Sequence, residues 1–378
     1  MRAPLLVRSV CPCVCSKYAQ DVNHVFQHAL TVRYICAHFP VRQFYRVCCS
    51  LRQRWPRAQA FALLCCLCCS QSSGEARASA SAHPAGVCPT LSIIATGRND
   101  DYGGGNFTGR VQRWMTQFER MVEMTHGQMR CPEPWFEVLL VEWNPQPHTL
   151  PWTSLLVPPP CLAVRIISVP NAVHAEGLSR AAGVHGTGSA SGADSIAFLE
   201  YHAKNVALRR VSACSEFVLL TNPDALLSQE ILGWLGTRSF SPLHFVRAKR
   251  VGITSDIPPH LHGEALYEFL FHHTEWPRQG QAVPVQEQQK VRFIRQLDLE
   301  ASGDFLLAPV AALEFIRGGV EGHDNIHHDT RMLCALAASG LRQQVLPFPE
   351  YVVYHQQHSR DERLHRSKSA WHRRNGRR

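Results

Sequence analysis

Leu91-Ser-Ile-Ile-Ala-Thr96, followed by Gly97-Arg-Asn-Asp-Asp101, is the stretch from which the fold is read. Six mostly apolar residues with β-branched content, closed by a glycine, describe a strand buried on both faces. The abrupt change to Arg98, Asn99, Asp100 and Asp101 sets polar side chains at its carboxyl end. The same pattern recurs downstream. Phe136–Glu142 reads as a second buried strand, Val164–Val169 as a third and Glu216–Leu220 as a fourth. His244–Ile253 alternates as a fifth, and Asp304–Ala308 and Tyr351–His355 follow. Between them, Val111, Trp114, Met115, Phe118, Met121 and Val122 fall on one stripe and predict a helix over Phe107–Thr125. Helices are also expected over Ser195–Val211, Leu226–Leu235, Leu266–His273 and Asp329–Ser339. The Pro-rich Asn144–Pro160 reads as a loop, and the Gly/Ser/Ala-rich Gly177–Asp194 as a surface insertion. Strands alternating with helices predict a single α/β domain over residues 91–359, with a mostly parallel central sheet and helices on both faces.

Outward from that domain the composition changes. Eleven of the 15 Cys precede Leu91, leaving Cys131, Cys161, Cys214 and Cys334, which read as small buried free thiols. Residues 1–90 carry ten Lys/Arg against two acids and residues 359–378 eight against two, so the +9 of the whole chain leaves the centre near −5. The basic balance belongs to the flanks, and nucleic acid is not an expected partner of the domain. Residues 1–88 are expected to be a disordered leader and residues 360–378 a solvated basic tail. The leader cysteines lack paired C-x-x-C spacing for zinc. Within the leader, Arg52, Arg54 and Arg57, the run Ala58–Cys69 and the small residues Ala78–Ala82 follow the order of a secretory signal, though far from the start. Segment 52–82 therefore points to the secretory pathway and Golgi lumen if it acts as a signal, and the cytoplasm otherwise.

Polar clusters close several strands: Gly97–Asp101, Glu142-Trp143-Asn144, Thr221-Asn222-Pro223-Asp224 and His355-Gln-Gln-His358. Each alone suits an ordinary turn. Together they collect at the edge where open parallel sheets bind ligands.

At these positions the chain resembles the GT-A glycosyltransferases, specifically family-2-like members of the nucleotide-diphospho-sugar transferase superfamily. The residues that carry the resemblance are Thr96–Gly104 (TGRNDDYGG), Val141-Glu-Trp-Asn-Pro145, Ala203-Lys-Asn-Val206, Leu220-Thr-Asn-Pro-Asp224, Ser302-Gly-Asp-Phe305, His328-Asp329 and Val353-Tyr-His355. The resemblance spans about 91–359 and implies a Rossmann-like GT-A fold that transfers a sugar from a UDP- or GDP-sugar to a glycan, lipid or protein hydroxyl, with inversion. It implies Mn²⁺ or Mg²⁺ on the leaving diphosphate, held by Asp224 and His355. Asn222 stands where the family carries the first acid of its Asp-x-Asp motif, so one charge is missing there. The resemblance further places Arg98, Asp100, Asp101, Glu142, Lys204, Asn205 and Asn222 about the nucleotide, Asp329 as the general base and Asp304 as the second choice for it.

Two other readings compete. His323, His327, His328, Asp329, His355 and His358 would make a water-activating zinc site in a hydrolase, although His327 and His328 are adjacent and no H-E-x-x-H helix is present. With Asn222 in place of an acid, the domain would alternatively be a non-catalytic binding module.

Overall fold

The computed structural model describes residues 88–100, 106–127, 135–185, 198–276, 297–299, 303–321 and 328–356. The expectations for residues 1–87, Asp101, Cys131, His323, His327, His358 and the basic tail fall outside them.

The elements run, in chain order, β1 (Leu91–Gly97), α1 (Phe107–His126), β2 (Phe136–Trp143), α2 (Trp152–Leu155), β3 (Ala163–Val169), α3 (Asn171–His185), α4 (Glu200–Leu208), β4 (Phe217–Thr221) and β5 (Ala225–Leu227). They continue with α5 (Gln229–Gly236), β6 (His244–Arg247), β7 (Lys249–Gly252), α6 (Gly263–His272), β8 (Phe305–Pro309), α7 (Val310–Phe315), α8 (His328–Ala338), β9 (Arg342–Val345) and β10 (Val352–His355). The central sheet has seven strands in the order β3-β2-β1-β4-β8-β6-β9. The first four are mutually parallel, as their sequences predicted, and β8 enters antiparallel between β4 and β6. A three-stranded sheet, β5-β10-β7, adjoins it.

Successive residues of each central strand serve opposite cores. Ile93, Ala95, Val138 and Leu140 pack with Trp114, Phe118 and Met121 of α1 and with α5 and α6. Ile94, Leu139 and Val141 pack with Tyr201 and Ala203 of α4 and Met332 and Leu336 of α8. Helices thus cover both faces, which is why β1 and β2 read as unbroken apolar runs. Val251, Val352 and Val353 of the smaller sheet belong to the first of these cores, so the two sheets share a common interior. Gly97 ends β1 because no side chain fits: a Cβ there would lie 2.6 Å from the Phe107 ring and 2.9 Å from Trp152.

Some expectations are corrected. Cys214 is not a free thiol; it forms a disulfide with Cys88 across a Cα–Cα distance of 5.4 Å. The parallel register explains it: Leu91 pairs with Phe217, and the two cysteines stand three residues before each. Cys161 is also disulfide-bonded, and only Cys334 among the described cysteines is free. His244–Ile253 is two strands in different sheets, broken at Ala248. The Leu226–Leu235 stretch starts as a strand, because Ala225–Leu227 pairs with β10. Asn171–His185 is helical where part of an insertion was expected, and a single helical turn, α2, interrupts the Pro-rich loop. Among the described residues no helix is long and apolar enough to cross a membrane.

Candidate functional site

The site is built where β4, β8 and β10 end or begin. β4 stops at Thr221, and the turn Asn222-Pro223-Asp224, closed by Ala225 N–H donating to the Asn222 carbonyl at 3.0 Å, carries the chain into the smaller sheet. There β5 runs antiparallel to β10, with His355 opposite Ala225, and Gln356 N–H donates to the Asp224 carbonyl at 2.8 Å. Backbone pairing thus seats the His355 imidazole beside Asp224, with Nε2 3.3 Å from Oδ2. Burial lowers the His355 pKa, but the hydrogen bond it donates to Asp224 and the charges of Asp224 and Asp304 outweigh it, and the net shift is upward. Asp304 immediately precedes β8. Because Thr221 pairs with Phe305, Asp304 lies next to Asn222, which donates from Nδ2 to Asp304 Oδ1 at 2.9 Å. Thr221 Oγ1 donates to the Asp304 carbonyl at 2.7 Å. One ligand atom from each of Asp224, Asp304 and His355 lies within 4.8 Å of the others.

Behind this trio stands Lys204 of α4, fully buried. Its Nζ donates to Glu200 Oε1 at 2.6 Å, Asn222 Oδ1 at 3.0 Å and the Gly303 carbonyl at 3.4 Å, and lies 5.2 Å from the centre of the Tyr201 ring. Glu200 and Lys204 are four residues apart, so one helix face presents both. Tyr201 stacks on His328 with centroids 5.5 Å apart, and burial, then the charges of Glu200, Asp329 and Asp304, push its phenol pKa well up. Asp329, in the first turn of α8, accepts from Thr330 N–H at 2.8 Å through Oδ1. Its Oδ2 lies 3.9 Å from where a Cβ on Gly303 would sit, a point also 3.6 Å from Asn222 Nδ2 and 3.9 Å from Glu200 Oε1. The absent side chain at Gly303 therefore leaves a small space bounded by these groups. Two arginines face the acids: Arg250 Nη1 donates to Asp304 Oδ2 at 2.9 Å, and Arg247 is buried nearby. Burial lowers the Arg247 pKa, against the raising charges of Asp298, Asp329 and Asp304.

The remaining residues singled out from the sequence lie at the same carboxyl edge or beneath it, bound into the scaffold. Arg98 grips Asp100 with Nε–Oδ1 at 2.7 Å and Nη2–Oδ2 at 2.5 Å. Glu142 is fully buried, and its Oε1 accepts from Trp152 N–H at the start of α2 at 2.8 Å. Asn205 donates to the Gly319 carbonyl at 2.7 Å and accepts from Gly319 N–H at 2.8 Å, pinning the loop after α7. In the competing zinc constellation, His328 is buried and its Nδ1 meets the Val320 carbonyl at 2.6 Å, away from His355.

Glu200, Tyr201, Arg247 and Arg250 were not singled out from the sequence. The signal for Arg247 and Arg250 was present: with Lys249 they put three cations within four residues of an otherwise strand-like run. A cleft of about 440 Å³ lies elsewhere, between α1 and α6, and Arg113, which lines it, donates through Nη1 to Gln356 Oε1 at 2.7 Å.

No protein-family model and no curated protein matches this chain. Among solved structures, residues 1–349 of Staphylococcus aureus TarS are similar at 15% identity and a TM-score of 0.38, over 71% of this chain and 60% of that one. The mannosyltransferase PcManGT from Pyrobaculum calidifontis, in complex with GDP-Man and Mn²⁺, is similar at 15% identity and a TM-score of 0.36, over 71% and 57%. Core-mannan synthase A from Aspergillus fumigatus, in its Mn/GDP form, gives 13% identity and a TM-score of 0.25 over 69% and 67%. This chain thus spans about 57–60% of the length of the first two.

Proposed function

We propose that the chain is a nucleotide-sugar-dependent, inverting glycosyltransferase of the GT-A type. The observation that carries this reading is the convergence of Asp224, Asp304 and His355, from three separated segments, at the carboxyl edge of a parallel sheet, with Asp329 beside them. Mixed carboxylate and imidazole donors suit a divalent cation such as Mn²⁺, and Asp224 and His355 would hold it. Such an ion supplies charge neutralisation for a leaving diphosphate.

The chain's own groups take the other parts. Asp329 accepts the proton of the acceptor hydroxyl as its oxygen attacks the anomeric carbon. Its Oδ2 borders the space at Gly303, while Thr330 N–H holds Oδ1 and fixes the carboxylate's orientation. Lys204 and Arg247 supply positive charge behind this concentration of acids. The nucleotide lies over the β1 edge, flanked by the Arg98–Asp100 pair, with Glu142 and Asn205 fixing the loops that frame it. Acceptors of this reading are glycan, lipid or protein hydroxyls.

The test is thermal stabilisation of the full chain by a panel of UDP- and GDP-sugars with Mn²⁺, since a ligand that binds only the native state raises the melting temperature. A shift that needs both nucleotide and metal is expected, followed by release of the nucleoside diphosphate when an acceptor is supplied. A melting temperature unmoved by every donor would sink the proposal.

A further inference from the structure

The residue at position 222 is the point at which this chain departs from the two-acid motif it resembles, and the structure supplies both a reason for the amide and a replacement for the missing charge. Asn222 is held from two sides by groups of opposite demand. The Lys204 ammonium can only donate, and it meets Oδ1 at 3.0 Å; the Asp304 carboxylate can only accept, and it meets Nδ2 at 2.9 Å. Only a side chain with an acceptor and a donor at its tip satisfies both. An aspartate here would set two carboxylate oxygens at that 2.9 Å separation, with Asp304 buried and position 222 partly so. The choice of residue at 222 is therefore dictated by Asp304.

We propose that Asp304 is the second carboxylate of the cation site, and that Asn222 is the positioning residue that aims it. Asp304 is fixed through Oδ1 by Asn222 and through its backbone carbonyl by Thr221 Oγ1, while Oδ2 is left to a cation. That cation here is Arg250, at 2.9 Å, on a side chain 35% exposed. Arg250 thus occupies, as a placeholder, the charge position that a divalent ion takes over. Asp224 and Asp304 balance the two charges of the ion, with His355 as the neutral ligand, and the site needs no acid at 222. This rests on the metal-binding part of the function proposed above and not on sugar transfer.

The experiment measures Mn²⁺ alone, without nucleotide, binding to the full chain by electron paramagnetic resonance, with thermal unfolding as the check on folding. Asp304→Asn is expected to weaken Mn²⁺ as strongly as Asp224→Asn does. Asn222→Ala and Asn222→Asp should each weaken it about 10- to 100-fold, the usual effect of losing a partner that orients a ligand. The exchange Asn222→Asp with Asp304→Asn restores one donor and one acceptor across the contact but not the carboxylate at 304, so it should recover thermal stability relative to Asn222→Asp while Mn²⁺ stays as weak as in Asp304→Asn, a split that a merely structural role does not give. Arg250→Gln should tighten Mn²⁺. If Asn222→Asp fails to fold, Asp304→Asn and Arg250→Gln still decide. Tighter Mn²⁺ in Asn222→Asp, wild-type affinity in Asp304→Asn, or no Mn²⁺ binding by the wild-type chain would each overturn the proposal. A chain that binds Mn²⁺ in this pattern yet turns over no donor breaks the transferase reading alone. One that transfers sugar while Asp304→Asn keeps full Mn²⁺ affinity breaks only the assignment made here.

Discussion

The carboxyl edge of the central sheet has two halves that look alike in sequence and differ in kind. After β1 and β2 the polar residues satisfy one another: Arg98 is forked onto Asp100, Glu142 receives the start of α2, and Asn99 clamps the following loop. The Asn99 amide accepts from Gln146 N–H at 2.7 Å and donates to the carbonyls of Gln146, Thr149 and Leu150 at 3.3 Å. After β4 and before β8, with β10 alongside, acids instead crowd together: Asp224, Asp304 and Asp329, with Glu200, against Lys204, Arg247 and Arg250. Such contacts, within one turn or from one loop to the next, stabilise the loops that make them. Like charges gathered from distant segments cost stability and persist where they serve another purpose. A polar cluster after a strand is thus weak evidence of chemistry until its members are seen to come from separate parts of the chain.

The comparison breaks most sharply at Asp224. Asp224→Ala should abolish metal-dependent nucleotide binding together with transfer, read by titrating UDP or GDP with and without Mn²⁺; unchanged binding would dissolve the distinction between the halves. Next comes Asp329→Asn, where turnover should fall on the order of 10²–10⁴-fold with nucleotide affinity nearly intact, because the amide keeps the shape and cannot take the proton. Variants on the scaffold side should act on stability. Cys214→Ser, which opens the tie between the starts of β1 and β4, is expected to cost about 2–4 kcal/mol in denaturant unfolding and to leave Mn²⁺ affinity unchanged. Asn99→Ala should cost about 1–3 kcal/mol, since it strips partners from buried loop groups. The smallest effect is expected from Arg98→Ala: less than about 1 kcal/mol of stability from a local pair, with nucleotide affinity weakened and Mn²⁺ affinity unmoved. Loss of Mn²⁺ binding in that variant would join the two halves into a single site.

How much of this was legible depended on range. β1 to β4 announced themselves through short apolar runs, and their parallel order followed from alternation with helices. Asn222, Asp224 and His355 stood out as polar groups at strand ends, and Lys204, Asp304 and Asp329 through the family resemblance; the structure brings them into one neighbourhood. What escaped was set by partners far away in sequence. Periodicity continued through Ala248 because a chain passing from one sheet to another keeps its alternation. Ala225–Leu227 looked like the start of a helix, since the strand that claims it lies more than a hundred residues on. The Cys88–Cys214 bond was invisible for the same reason, being a consequence of inter-strand register. The burial of Lys204 escaped as well, because nothing local says that Asn222 and Gly303 will close over it.

The pairing of β10 with β5 and β7 has a temporal side. His355 reaches Asp224 only through a strand that is translated long after both of its neighbours. At roughly 5–20 residues per second, the 131 residues between them take roughly 7–26 s to synthesise. Over that interval β5 and β7 each wait with an open edge, and an open edge invites a foreign strand. The parallel half of the sheet, already tied at Cys88 and Cys214, can close first. The corner that holds Asp224, Asp304 and His355 is therefore completed later than β1 to β4, and its yield depends on what the nascent chain meets in the meantime.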